Sequence, residues 1–193
     1  MQTPPVLTDL VDTCLAAVNG DSVHETIHRA LRNLIADPAV LAAQIPRFAP
    51  GEVETSARGF RLGGEHVVHR DQDLTVMVLD TLAGVIQPPH EHRMVAYIGV
   101  FEGAEEQRFW SRDTTGIQSA PGKTLEAGET LALGESAIHA ISAPVDRPSR
   151  AVHIYLGDIY DVERSVFNPE TLAEHPMTDE RYDEFCRFAA EAR

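Results

Sequence analysis

Residues 84–103 read GVIQPPHEHRMVAYIGVFEG. Two histidines, His90 and His92, flank a single residue and follow the pair Pro88-Pro89. The run Val95 to Phe101 is rich in β-branched and aromatic residues and reads as a strand. If both histidines lie on that strand or its lead-in, the period of two turns both imidazoles to one face. Paired neutral imidazoles are donors that a first-row divalent metal favours. An isolated His-x-His also describes surface histidines at a strand start, so a second observation is needed.

It comes from residues 128–139, GETLALGESAIH, which have the same turn, strand and turn character and deliver His139. The two stretches resemble the paired motifs of the cupins. The first, G-x5-H-x-H-x3-E-x6-G, is met by Gly84, His90, His92 and Gly103, with Ala96 at the Glu position. The second, G-x5-P-x-G-x2-H-x3-N, is met by Gly128 and His139, with Gly134, Ser136 and Ala143 where Pro, Gly and Asn are usual. The resemblance implies a cupin double-stranded β-helix, a jelly-roll barrel, with flanking N- and C-terminal α-helices.

Composition sets outer limits. A chain of 193 residues fits a single domain, expected as a helical extension over 1–48, a barrel over 52–160 and a C-terminal tail with a helix over 161–193. Apolar content of 43% and 24% charged residues are ordinary for a soluble globular protein. The formal charge of −14 argues against nucleic acid or an anionic membrane surface as partner, since both require clustered Lys and Arg. No apolar run approaches the ~20 residues of a membrane span. The N-terminus lacks a basic start followed by an apolar core, and Cys14 and Cys186 form no disulfide framework. A cytoplasmic protein with reduced thiols is expected. A homodimer is left open.

Along the chain, Val6, Leu10, Val11 and Leu15 recur at helical spacing, and the helix is expected to stop near Gly20. Ser22-Val-His-Glu25 has the form of a capping box ahead of the stripe Val23, Ile27, Leu31, Leu34 and Ile35. His24 and His28, one turn apart, read as residues of a solvated helix face. Gly63-Gly64 reads as a turn, and strands are expected at 66–70, 74–79, 106–110 and 150–156, with a loop through Pro121-Gly122. The tail from Asp161 reads as irregular until Thr178 caps a last helix, with Tyr182, Phe185, Cys186 and Ala189 as its apolar stripe.

Buried imidazoles without partners cost roughly 1–3 kcal/mol each, a penalty that a divalent cation removes. Three protein ligands leave open coordination positions, as in catalytic sites. With Ala96 in place of a carboxylate, the expected set is His90, His92 and His139. In this the chain resembles the cysteine dioxygenase and 3-mercaptopropionate dioxygenase group, particularly its bacterial members. QPPHEH at 87–92, AYIGVFEG at 96–103, EQRFW at 106–110 and HIYLGD at 153–158 all look like that group, over roughly residues 65–165.

The resemblance implies Fe(II), with nickel or zinc as other divalent occupants, and a small thiol oxidised by O2 to its sulfinate. It also implies a Ser-x-His-x-Tyr relay, here Ala151-Val-His153-Ile-Tyr155 with the Ser missing. His153 and Tyr155 share a strand face, and a Tyr hydroxyl oriented by His can donate to bound oxygen or thiolate. His153 as a core histidine bonded to backbone is the bland alternative. Ala96 also occupies the position of the Cys that cross-links to the Tyr in cysteine dioxygenases, so no such cross-link is expected. The resemblance implies an Arg that pairs both oxygens of a substrate carboxylate, and Arg70 is the best-placed match, ahead of Arg93 and Arg108, with an ion-paired surface residue as its equal alternative. Two further functions stay open: a metal-dependent cupin enzyme of another reaction type, and a non-catalytic cupin that binds a small ligand.

Overall fold

The computed structural model describes residues 3–47, 54–55 and 61–191. Much of the expected start of the barrel, at 52–53 and 56–60, lies outside the described residues. Three helices come first: α1 (Pro5–Ala17), α2 (Val23–Leu34) and α3 (Pro38–Gln44). Among the described residues eleven strands follow: β1 (Glu54–Thr55), β2 (Arg61–Arg70), β3 (Thr75–Thr81), β4 (His90–Glu91), β5 (Ala96–Asp113), β6 (Gly116–Glu126), β7 (Thr130–Leu133), β8 (Ile138–Ser142), β9 (Ser149–Tyr155), β10 (Ser165–Phe167) and β11 (Glu174–Pro176). Helix α4 (Asp179–Glu191) ends the described chain. Among the described residues no helix is long and apolar enough to cross a membrane.

The strands are antiparallel in the order β1-β2-β3-β9-β5-β8-β4-β10-β11, with β6 and β7 also paired to β5. Strand β5 is the spine. Its first half pairs with β9 and β7, and its second half with β6 and β8, so one strand serves both layers of the jelly roll. Strand β9 is buried along its whole length, yet its period of two still sorts its side chains. Val152 and Ile154 face outward into a core shared with Leu7, Ile27, Leu31 and Ile35 of the helical layer. Ala151 and Tyr155 face inward, among Met77, Ala96, Ile98 and Leu133.

Two glycines are fixed by contact. At Gly99 an added Cβ would lie 2.8 Å from Leu31 Cδ1, so the missing side chain lets α2 lie close on the sheet. Gly103 has φ +69°, and its Cβ would lie 1.8 Å from the Pro148 carbonyl oxygen. Gly103→Ala therefore combines left-handed strain, about 1–3 kcal/mol, with a backbone clash. Chemical denaturation is expected to show a loss of stability beyond that range.

Local expectations meet several corrections. Ser22 does not cap α2 with its side chain, and Glu25 instead pairs with Arg29 one turn on, so the capping box does not form. Gly63-Gly64 is not a turn but part of β2, paired with Thr81 and Asp80. Pro121-Gly122 lies in β6, not in a loop. The register shift between Gln107 and Phe109 accommodates Pro121, which has no N–H to give the ladder. Residues 165–167 and 174–176 are strands rather than irregular tail. His24 and His28 face the sheet, bonded to the Tyr97 hydroxyl at 2.8 Å and to Thr130 Oγ1 at 2.9 Å. Cys14 and Cys186 are both free and buried.

Candidate metal centre

The site is built where β4, β8 and β10 meet. His90 lies directly across the ladder from His139, and Val166 of β10 pairs with His90 from the other side. Beyond His92 the chain turns at Arg93, a non-glycine residue at φ +57°. Glu91, between the two histidines, points away from them and is held by Arg93 at 2.6 Å and Arg112 at 3.1 Å. The alternation expected of His-x-His thus holds: imidazoles to one side, carboxylate to the other.

His90, His92 and His139 are all buried, and one ring nitrogen of each lies within 4.8 Å of those of the other two. The Nε2 atoms of His90 and His139 each lie 3.2 Å from Nε2 of His92. Partners on the far side of the rings fix the tautomers. His90 Nδ1–H donates to the Pro88 carbonyl at 2.9 Å, and His139 Nδ1–H donates to Gln107 Oε1 at 2.7 Å. Both Nε2 atoms therefore present lone pairs to the same point. Burial holds all three imidazoles below the ordinary histidine range, His90 down to about 4, and their mutual proximity lowers His92 and His139 further. Neutral at pH 7, with unshared lone pairs converging, they form a donor set that fits one divalent cation. Outer bonds at Nδ1 are the usual means of aiming such ligands.

A cavity of about 670 Å³ opens beside the cluster, lined by His90, His92, Tyr155, Arg164 and Tyr182 among others. The Tyr155 ring meets His92 edge-on, 5.0 Å between centroids, and its hydroxyl is 3.1 Å from His153 Nδ1. Burial pushes the Tyr155 phenol well up, so it keeps its proton at neutral pH. Ala96 sits opposite Tyr155 on the β5–β9 ladder, so the side chain at that position is only a methyl.

Arg70 is not brought to this cavity. Its Nε donates to both carboxylate oxygens of Asp158, at 2.8 and 3.0 Å, and its guanidinium stacks 4.7 Å from the Tyr160 ring centroid. Satisfied on the outer surface, it has no reason to turn inward. Arg93 is bound to Glu91, and Arg108 is exposed on β5. The arginine on the cavity wall is Arg164, half-buried and close enough for its charge to depress His90, His92 and His139. Its guanidinium makes no ion pair or hydrogen bond with the described residues. Arg164 has no signal of its own in the sequence, because 161–177 reads as irregular. The available signal was the short apolar run Val166-Phe167, which carries the residues just before it to the cavity.

No protein-family model matches the sequence. Among solved structures, the DMSP lyase DddQ from Ruegeria pomeroyi DSS-3 superposes with a TM-score of 0.52 at 17% identity, covering 87% of this chain and 99% of that one. The Cnp3 cupin domain from Schizosaccharomyces pombe gives 0.41 at 10% identity, over 50% and 66% of the two chains. An oxalate decarboxylase from Bacillus subtilis gives 0.39 at 15% identity over 46% of this chain, which spans only 22% of that protein. Topology and likeness together give the class: a cupin fold with a buried three-histidine cluster.

Proposed function

We propose that this chain is a mononuclear non-haem Fe(II) dioxygenase that oxidises a small carboxylate-bearing thiol, of the cysteine or 3-mercaptopropionate type, to its sulfinate with O2. The supporting observation is the donor set: three imidazole lone pairs converging on one point beside the cavity, with no carboxylate among them, next to a buried Tyr155–His153 pair. When bound, the iron would supply the redox chemistry between thiolate and dioxygen. His90, His92 and His139 would hold it. Tyr155, kept protonated by burial, gives the adjacent space one directed polar group, and His153 fixes its rotamer. Met77, Leu79 and Ile159 line the wall and limit water.

Arg164 replaces Arg70 as the proposed anchor for the substrate carboxylate. A half-buried guanidinium with no partner among the described residues is an anion receptor. A charged hydrogen bond lost there costs about 1.5–3 kcal/mol, or about 10–150-fold in affinity. Oxygen uptake by the Fe(II) form across a panel of small thiols is the test. Carboxylate-bearing thiols should drive uptake, and Arg164→Gln should raise their KM by that factor while sparing a thiol without a carboxylate. No thiol-dependent uptake with any member of the panel would remove this function.

A second reading, a metal-assisted reaction that needs no O2, draws on Glu65, whose carboxylate lies on the cavity wall where it could serve as a base. Turnover of a substrate under strictly anaerobic conditions would favour it.

A further inference from the structure

The Tyr155–His153 pair lacks the serine that would complete a Ser-x-His-x-Tyr relay, because position 151 is a fully buried alanine. On the far side of the His153 ring stands Glu105 of β5. Its Oε2 lies 3.6 Å from His153 Nε2, somewhat longer than a hydrogen bond. Among the described residues these two atoms are both buried without a hydrogen-bond partner. Each orphan would cost about 1–3 kcal/mol, and each is the nearest remedy for the other.

The carboxylate is not free to turn away. Its Oε1 accepts from the Gln107 side-chain amide at 2.6 Å, and Gln107 Oε1 accepts from His139 Nδ1–H. Glu105 and Gln107 are inward-facing polar residues two apart on β5, and His139 of β8 pairs with that strand at Phe109. Glu105, Gln107, His139 and His153 are each at most 2% exposed. A buried chain of polar groups therefore runs from Tyr155 through His153, Glu105 and Gln107 to His139, with the 3.6 Å step between His153 and Glu105 its one long link.

We propose that Glu105 is a positioning residue that completes the Tyr155–His153 pair from β5, in place of the hydroxyl absent at Ala151. Glu105 Oε1 already accepts from the Gln107 amide, and the remaining oxygen, Oε2, faces His153 Nε2, so the geometry assigns His153 Nε2–H as the donor to it. His153 Nδ1 then carries a lone pair and accepts from the Tyr155 O–H. The consequence is a fixed polarity: Tyr155 turns its oxygen lone pairs, not its proton, toward the cavity. A substrate group that faces Tyr155 is thus a hydrogen-bond donor, such as the ammonium of a cysteine-type thiol. This last step rests on the thiol reading above, whereas the tautomer does not.

Glu105→Gln tests the tautomer directly. Gln107 keeps the oxygen of the new amide facing its own N–H, so the amide nitrogen points at His153 Nε2 and must donate to it. His153 is forced into the Nδ1–H form, as a triad histidine is when its carboxylate becomes an amide. Long-range proton–nitrogen correlation spectra of the metal-free, 15N-histidine-labelled chain read this out, with His153 assigned by the signals lost in His153→Phe. The wild type is expected to show Nε2 protonated and Nδ1 bare, and Glu105→Gln the reverse. A wild-type His153 protonated at Nδ1 would overturn the proposal by itself, even if the variant did not fold. So would a variant with the wild-type tautomer. Neither result depends on whether any thiol is turned over.

Discussion

Replacing His139 with alanine is expected to empty the site. Elemental analysis of the wild-type protein should find about one iron per chain after Fe(II) loading, and His139→Ala should retain less than a tenth of that after desalting. Loss of an outer partner alone typically weakens metal binding about 10–100-fold, so loss of a direct ligand should exceed that range. With His139 gone, His90 Nε2 and His92 Nε2 remain 3.2 Å apart, a pair of ligands without a third. The fold should survive. His139 lies on β8 between Ile138 and Ala140, whose ladder to β5 is backbone, and the main local debt is the Gln107 Oε1 left without its donor. Far-UV circular dichroism should be unchanged, and thermal unfolding should show a modest shift. A folded variant that keeps its iron would mean that the three imidazoles are not the ligand set.

How much of this was legible in the sequence depends on how each contact is made. His90 and His92 are placed by strand periodicity, a local rule, and the spacing of Gly84 to Gly103 and Gly128 to His139 pointed to the same barrel. His139 could be tied to them only through the resemblance between the two stretches. Contacts set by register across the sheet were not legible. Glu105 faces His153, and Gln107 faces His139, because β5 runs past both β9 and β8, and a single strand's letters do not say which neighbours it will have. Arg70 stands ahead of His90 in the chain, but Asp158, eighty-eight residues away in sequence, takes up its charge. The Pro121-Gly122 pair reads as a loop because proline and glycine usually punctuate. Here a bulge in β6 opposite Arg108 absorbs both, and the strand continues.

Arg150 carries the other large expected effect, on stability rather than chemistry. It is 1% exposed on β9, and its guanidinium satisfies four acceptors: Asp80 at 3.0 Å, Glu102 at 3.2 Å and the carbonyls of Ile45 and Pro46 at 3.1 and 2.9 Å. It also stacks 4.9 Å from the Phe101 ring centroid. One side chain thus ties the segment after α3 to β3, β5 and β9. Arg150→Ala is expected to cost about 3–5 kcal/mol, because breaking a buried ion pair leaves its partner uncompensated. Glu102 keeps Arg47 as a second partner, so most of the electrostatic loss falls on Asp80. Burial already pushes the Asp80 carboxyl above its ordinary value, and Arg150 is the main force drawing it back down. Without Arg150 it should rise further. A carboxyl with a raised folded-state pKa binds more protons folded than unfolded, so the stability it contributes falls as pH rises through that window. The penalty of Arg150→Ala should therefore shrink as pH is lowered and Asp80 protonates. Urea unfolding of both proteins at several pH values measures it, and Arg150→Ala combined with Asp80→Asn should recover part of the loss near neutrality. A penalty under about 1 kcal/mol, or one that grows toward acid pH, would show that Arg150 is not what holds the α3 segment on the barrel.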